Sequence, residues 1–192
     1  LANISNIKNK CFLSVAAGCT INQIQTALSD KYPVIRTMPN TPSQVGFGMT
    51  GLYASPEVST SQHDVCEQMM SAVGDILWLK NEEQINHITC ISGSGPAYFF
   101  LFMEAMEQQA LNLGFSAEES KKLVQQTALG AANMVKENSD LEISQLRTNV
   151  TSKAGTTQAA LNHLTENDLP QLVTNAMNAA LQRAQEMAQN NA

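Results

Sequence analysis

Residues 75–114, DILWLKNEEQINHITCISGSGPAYFFLFMEAMEQQALNLG, decide the fold class. The stretch opens as a strand, DILWLK, and nothing after Lys80 reads convincingly as another. Ile85, Ile88 and Ile91 instead recur at helical spacing. Ser94 and Pro96 then open a long helical pattern that Gly114 closes. A chain of strands and helices becomes, within this stretch, a chain of helices alone.

Upstream, the alternation is that of an α/β sheet. CFLSVA (11–16) is a short apolar run meeting a tight turn at Ala16-Ala17-Gly18. Thr20 caps a helix carrying Ile21, Ile24 and Leu28, with Gln23 at the capping-box position, and Pro33 closes it. VIRTM (34–38) reads as a second strand. It ends in PNTP, where Pro39 and Pro42 bracket a turn expected not to be helical. GMTGLYA (48–54) is a third strand. A helix from Ser59 to Val73, with Val65, Met69 and Val73 on one face, is stopped by Gly74. Downstream, Ser116 and Glu119 form a capping box for a helix reaching Glu137, in which Gly130-Ala131-Ala132 permits close helix approach. A short helix near Glu142–Thr148, another ending near Leu164 and a last one over Pro170–Gln189 complete the chain. The expected fold is α/β followed by all-α, divided into residues 1–82 and 83–192. FFLFMEAM is apolar nearly all round, so its helix is either central to a bundle or shared with a partner chain, and the second reading is favoured.

Composition narrows the function. Of 192 residues 43% are hydrophobic and 15% charged, so a packed core is affordable and disorder is not indicated. A net charge of −6 argues against general nucleic-acid or membrane-surface binding. Cys11, Cys19, Cys66 and Cys90 show no CxxC spacing and read as reduced thiols of a cytoplasmic protein. No run is long enough to span a bilayer, and the polar start, LANISNIKNK, is no signal peptide. No GxGxxG, Walker A sequence, HExxH or metal-ligand spacing is read. His63, His87 and His163 are isolated, and Glu82 and Glu83 are expected to be solvated unless one faces a cleft.

Three small-residue turns could carry chemistry. In NVTSKAGTTQAAL (149–161), hydroxyls of Ser152, Thr156 and Thr157 surround Gly155 at the head of a helix, where free N–H groups suit a carboxylate or phosphate. A plain helix cap explains the same residues. SGSGP (92–96) could form a backbone nest or a joint between helices. MPNTP (38–42) and Ala16-Ala17-Gly18 each follow a strand, where doubly wound sheets bind ligands, though ordinary tight turns would read alike.

SVAAGCT (14–20), VIRTMPNTP (34–42), ISGSGPAYFF (91–100) and NVTSKAGTTQAAL together resemble the pyrroline-5-carboxylate reductase family, in its order and at about its spacing. The last is the family's specific signature, and the resemblance spans essentially the whole chain. It implies the remainder of a Rossmann-type NAD(P)-binding domain followed by a helical dimerisation and substrate-binding domain. It implies reduction of 1-pyrroline-5-carboxylate to L-proline, the last step of proline biosynthesis, with NADPH or NADH. By carry-over, Ser152, Gly155, Thr156 and Thr157 hold the substrate, its carboxylate through Ser152 and the backbone N–H groups of Gly155 and Thr156, and Thr157 is catalytic. Ala16, Ala17, Pro39, Asn40 and Asn149 lie on the cofactor side. No metal is implied. The partner is a second copy in an interlocked homodimer, with rings of dimers known in the family. Two departures stand out. Lys153-Ala154 replaces a frequent Pro-Gly. The family's first strand and phosphate loop are not seen, so the chain is expected to lack its natural N-terminus and, alone, to bind cofactor poorly. Two other readings remain open at this point: another two-domain imine or β-hydroxyacid reductase, against which Lys121 and Lys122 in an ordinary amphipathic helix speak weakly, and a non-catalytic dimerisation module.

Overall fold

The computed structural model describes residues 10–190; the polar start, residues 1–9, lies outside it. Strands β1 (Phe12–Ser14), β2 (Val34–Met38), β3 (Gly48–Ala54) and β4 (Gly74–Trp78) form one sheet in that order. β1 and β2 run parallel, β2 and β3 antiparallel, and β3 and β4 parallel. The second and third strands match the sequence reading residue for residue, whereas the first is shorter than CFLSVA.

The sheet is covered on both faces, which is why β2 is buried without alternation. Val34 packs with Ile21, Ile24 and Leu28 of α1 (Ile21–Leu28). Its neighbour Ile35 points the other way, to Leu52 and to Cys66 of α2 (Thr60–Ser71). Both helices start in capping boxes, Thr20 with Gln23 and Ser59 with Gln62. The inward face of α2 differs from the expected one. Cys66 and Met70 turn to the sheet, Val65 and Met69 lie exposed, and Val73 falls beyond the helix. Apolar residues are scattered around α2, so its own periodicity does not select a face; packing against Ile35 and Leu52 does. Burial pushes the Cys66 thiol up to about 11, with nearby Cys11 and Glu67 adding to the shift.

Three further expectations are corrected. The PNTP turn is helical: Thr41–Val45 is a 3₁₀ helix with Pro42 in its first turn, where a missing N–H costs nothing. The helix of Ile85 and Ile88, α3 (Gln84–Ile88), widens into a π-helical turn over Thr89–Gly93. The extra residue in that turn brings Cys90 inward and leaves Ile91 exposed. Glu82 is not simply solvated. It pairs with Arg36, which is buried in β2, at 2.9 Å, and accepts the N–H of Ile21 at 2.7 Å. A buried guanidinium requires a counter-charge, and the α1 N-terminus favours the same carboxylate.

The rest is helical: α4 (Gly95–Asn112), α5 (Ala117–Glu137), α6 (Ile143–Asn149), α7 (Thr156–Glu166) and α8 (Leu169–Asn190). Ser116 opens α5 in a capping box, and its N–H and hydroxyl hold the Glu119 carboxyl below the usual range. Contacts group the chain into one unit ending at Pro96 and rejoined from Asn175 onward, and another of Ala97–Thr174. The two units differ sharply in burial. Within 97–174 only Ser120 and Val124 are buried. Phe99, Phe100, Leu101 and Phe102 are all exposed, Phe99 by 73%. Among the described residues nothing beyond the backbone of its own helix and its chain neighbours comes within 4 Å of where a Cβ on Gly130 would sit, so the close approach it permits is not made among them.

Glu82→Gln keeps the side-chain shape but strips the counter-charge from Arg36. Because the Glu82 side chain is 29% exposed, the expected loss is about 2 kcal/mol, below that for a fully buried pair, measurable by urea unfolding.

Candidate functional site

Helix α6 ends at Asn149, and the chain turns at once into the signature segment. Thr151 closes α6 through its hydroxyl, which donates to the Arg147 carbonyl at 2.6 Å. Ser152-Lys153-Ala154-Gly155 is a β-turn, with the Gly155 N–H donating to the Ser152 carbonyl at 3.0 Å. Ala154 has φ 59° and Lys153 is not left-handed, which makes the turn type II. That turn prefers proline at its second position and glycine at its third. The departure of Lys153-Ala154 from Pro-Gly therefore leaves the backbone shape intact and places an alanine where glycine is easier.

Gly155 then becomes the N-cap of α7, extended at φ −82°, ψ 173°. A Cβ there would collide with Ser152 Oγ. Glycine supplies no capping oxygen, and no side chain caps α7, unlike α1, α2 and α5. Among the described residues none accepts from the N–H groups of Thr156, Thr157 or Gln158, and no acidic residue lies in the first turn. Ser152, Lys153 and Thr156 are exposed, and Thr157 is half-buried. The result is an uncompensated positive helix end ringed by three hydroxyls and a lysine, an arrangement suited to a small anion. One assignment changes in detail. The Gly155 N–H is engaged inside the turn, so glycine contributes space rather than a donor.

The second group of expected residues lies at one end of the sheet. Ala16 and Ala17 follow β1, and Pro39 and Asn40 follow its parallel neighbour β2, so the four share the carboxyl edge. Ala16 and Ala17 are exposed; Pro39 and Asn40 are half-buried. Asn40 Oδ1 accepts the Met49 N–H and its Nδ2 donates to the Ser92 carbonyl, each at 2.9 Å. Asn149 belongs to the other unit, at the end of α6, its Oδ1 accepting from Gln145 Nε2.

Small residues at the carboxyl ends of parallel strands fit the nicotinamide end of a dinucleotide. A phosphate loop is a different matter. Gly46, Gly48 and Gly51 do have G-x-G-x-x-G spacing, but Gly48 and Gly51 lie inside β3 rather than in a strand-to-helix turn. At Gly51 a side chain would strike Ile88 of α3, so that glycine serves packing. SGSGP likewise forms no nest: Gly93 and Gly95 are not left-handed, and the segment is the π-helical turn and the start of α4. Among the described residues no group of three or more His, Cys, Asp or Glu is placed to hold a metal, and no helix is long and apolar enough to cross a membrane.

Comparison with known proteins agrees with the signature. A family model described as pyrroline-5-carboxylate reductase dimerisation matches residues 82–187. The chain belongs to the pyrroline-5-carboxylate reductase family. The pyrroline-5-carboxylate reductase of Vibrio alginolyticus is 48% identical over 93% of this chain, which spans 66% of that relative. The chain thus spans just under two thirds of the length of this relative. The pyrroline-5-carboxylate reductase structure from Coxiella burnetii is 41% identical with a TM-score of 0.89, covering 95% of this chain and 68% of that one. The Plasmodium falciparum pyrroline carboxylate reductase, solved with NADP bound, is 31% identical with a TM-score of 0.87, covering 95% of this chain and 69% of that one.

The sequence reading missed the Arg36–Glu82 pair and the double engagement of Asn40. An arginine in the buried strand VIRTM was the available signal for the first; the second joins residues too far apart in sequence to leave one.

Ala154→Gly is expected to raise stability by about 1 kcal/mol, since the left-handed conformation penalises a Cβ. Urea unfolding of the two proteins measures it.

Proposed function

We propose that this protein serves the reduction of 1-pyrroline-5-carboxylate to L-proline, closing proline biosynthesis with NADPH or NADH as hydride donor. The observation that carries this reading is the uncapped start of α7 behind the Ser152–Gly155 turn. The family assignment supports it.

The substrate is a cyclic imine with a carboxylate, and its two polar groups need different treatment. The carboxylate is held by Ser152 Oγ and the N–H groups of Thr156 and Thr157, with the positive helix end behind them. Gly155 leaves room for it, and exposed Lys153 adds charge nearby. The Thr157 hydroxyl, on the first turn of the same helix, lies at the ring nitrogen, orients the C=N bond and relays a proton. A cyclic imine is readily protonated, so no buried acid–base pair is called for. Ala16, Ala17 and Pro39, with the backbone of Asn40, pack at the nicotinamide end, and Asn149 stands on the cofactor side of the substrate turn. The cofactor, when bound, supplies the hydride; the protein orients the two partners and excludes water.

In this proposal residues 1–82 form the cofactor part and 83–192 the dimerisation and substrate part. The functional unit is a homodimer that can be built into a ring of dimers, and the exposed aromatic residues of α4 support the pairing. Four free cysteines suit a reducing compartment, the cytoplasm.

In the full-length protein Thr157→Ala is expected to lower kcat about a hundredfold while changing stability by no more than about 1 kcal/mol. An unchanged kcat would remove Thr157 from the mechanism. Sedimentation at micromolar concentration is expected to show a dimer or larger, and a stable monomer would refute the shared-helix reading.

A further inference from the structure

We infer that Asn40 is a positioning residue: its carboxamide clamps the turn after β2 to β3 and to the π-helical turn, and so sets the surface on which the nicotinamide end rests. This deepens the cofactor reading above and rests on it.

An asparagine just before a helix ordinarily caps that helix. Asn40 precedes the 3₁₀ helix, yet its side chain makes no capping bond. Its oxygen accepts from Met49 at the start of β3, and its nitrogen donates to Ser92 in the π-helical turn. A backbone N–H can only donate and a carbonyl can only accept. The two partners therefore fix which end of the carboxamide is oxygen and which nitrogen. Each polar atom of the side chain already holds a partner inside the chain.

The anchor points are themselves braced. Thr89 Oγ1 donates to the Ile85 carbonyl at 2.6 Å and Ser92 Oγ to that of Ile88 at 3.2 Å. The Ser94 N–H closes the wide turn onto the Thr89 carbonyl at 2.8 Å. A Cβ at Gly93 would lie 3.4 Å from Met38 Cε, so this turn rests on the end of β2. Pro39 fixes its own φ, and the clamp on its neighbour removes the remaining freedom of that turn. The cost of arranging the cofactor surface is thereby met during folding.

The test compares Asn40→Asp, which keeps the acceptor for Met49 but sets a carboxylate against the Ser92 carbonyl, with Asn40→Ala, which loses both bonds. Amide hydrogen exchange at Met49 and Ser94, and steady-state kinetics with NADPH, are read on the full-length protein. Met49 is expected to exchange about tenfold faster in Asn40→Ala and at the unmodified rate in Asn40→Asp; Ser94 should exchange faster in both. KM for NADPH should rise about tenfold in both, with kcat changing less. A raised KM with unchanged exchange would make Asn40 a direct cofactor ligand and overturn the inference, as would an unchanged KM in Asn40→Asp. Should Asn40→Ala fail to fold, Asn40→Asp decides alone, through Ser94 and KM. If the unmodified protein does not reduce the imine, the functional proposal fails, and the exchange pattern still decides the clamp.

Discussion

Residues 97–174 bury Ser120 and Val124 and little else, and the character of the helical unit follows from that constraint. A helix needs a covered apolar stripe to persist, because its own hydrogen bonds are worth little net in water. Phe99 to Phe102 are four consecutive residues, and at about 100° each they span most of the circumference of α4. A single neighbouring helix cannot cover such an arc. Each of these side chains gains about 2 kcal/mol on full burial. A partner that covered such a surface would have to wrap around α4 rather than touch it.

The sheet unit is built on the opposite plan. Val34, Ile35 and Leu52 have no exposed surface, and the buried guanidinium of Arg36 is paired. Arg36 sits among them only because Glu82 reaches back from beyond β4, and the same carboxylate holds the first N–H of α1. One acidic residue thus ties a central strand, a helix start and the segment leading into α3. Asn40 makes a comparable three-way junction just past the end of the same strand. In the proposed function the braced surface receives a flat ring in one orientation, and bracing lowers the cost of holding it there.

This contrast explains what could be read from the sequence. Local chemistry was legible: the capping boxes at Thr20 and Ser116 are where their residue types put them, and VIRTM and GMTGLYA are strands over those bounds. Ends of elements are decided by neighbours along the chain, and the sequence prints those neighbours. Choices made by distant contacts were not legible. The buried face of α2 follows Ile35 and Leu52, the pairing of Glu82 follows Arg36, and the outward turn of Ile91 follows a π-helical step that no local residue announces. The proline turn misled for another reason. Proline forbids the interior of a helix but not its first turn, and Thr41–Val45 is scarcely longer than that.

The signature turn lies between these cases. Its hydroxyls, its glycine and its place at a helix head were visible, but a cap and an anion cradle use the same residue types. What separates them is hydrogen-bond accounting, which requires coordinates. A cap spends its side-chain oxygen on the first-turn N–H groups, as Thr20, Ser59 and Ser116 do. At α7 the capping position is a glycine, the Gly155 N–H is used within the turn, and the N–H groups that follow have no acceptor among the described residues. Unmet donors at a helix end cost little while water reaches them and become valuable once an anion replaces that water. The turn forgoes a capping bond worth about 1 kcal/mol and holds Ala154 in a left-handed conformation besides. On the proposed reading, in which the turn receives a carboxylate, both concessions serve the ligand rather than the helix.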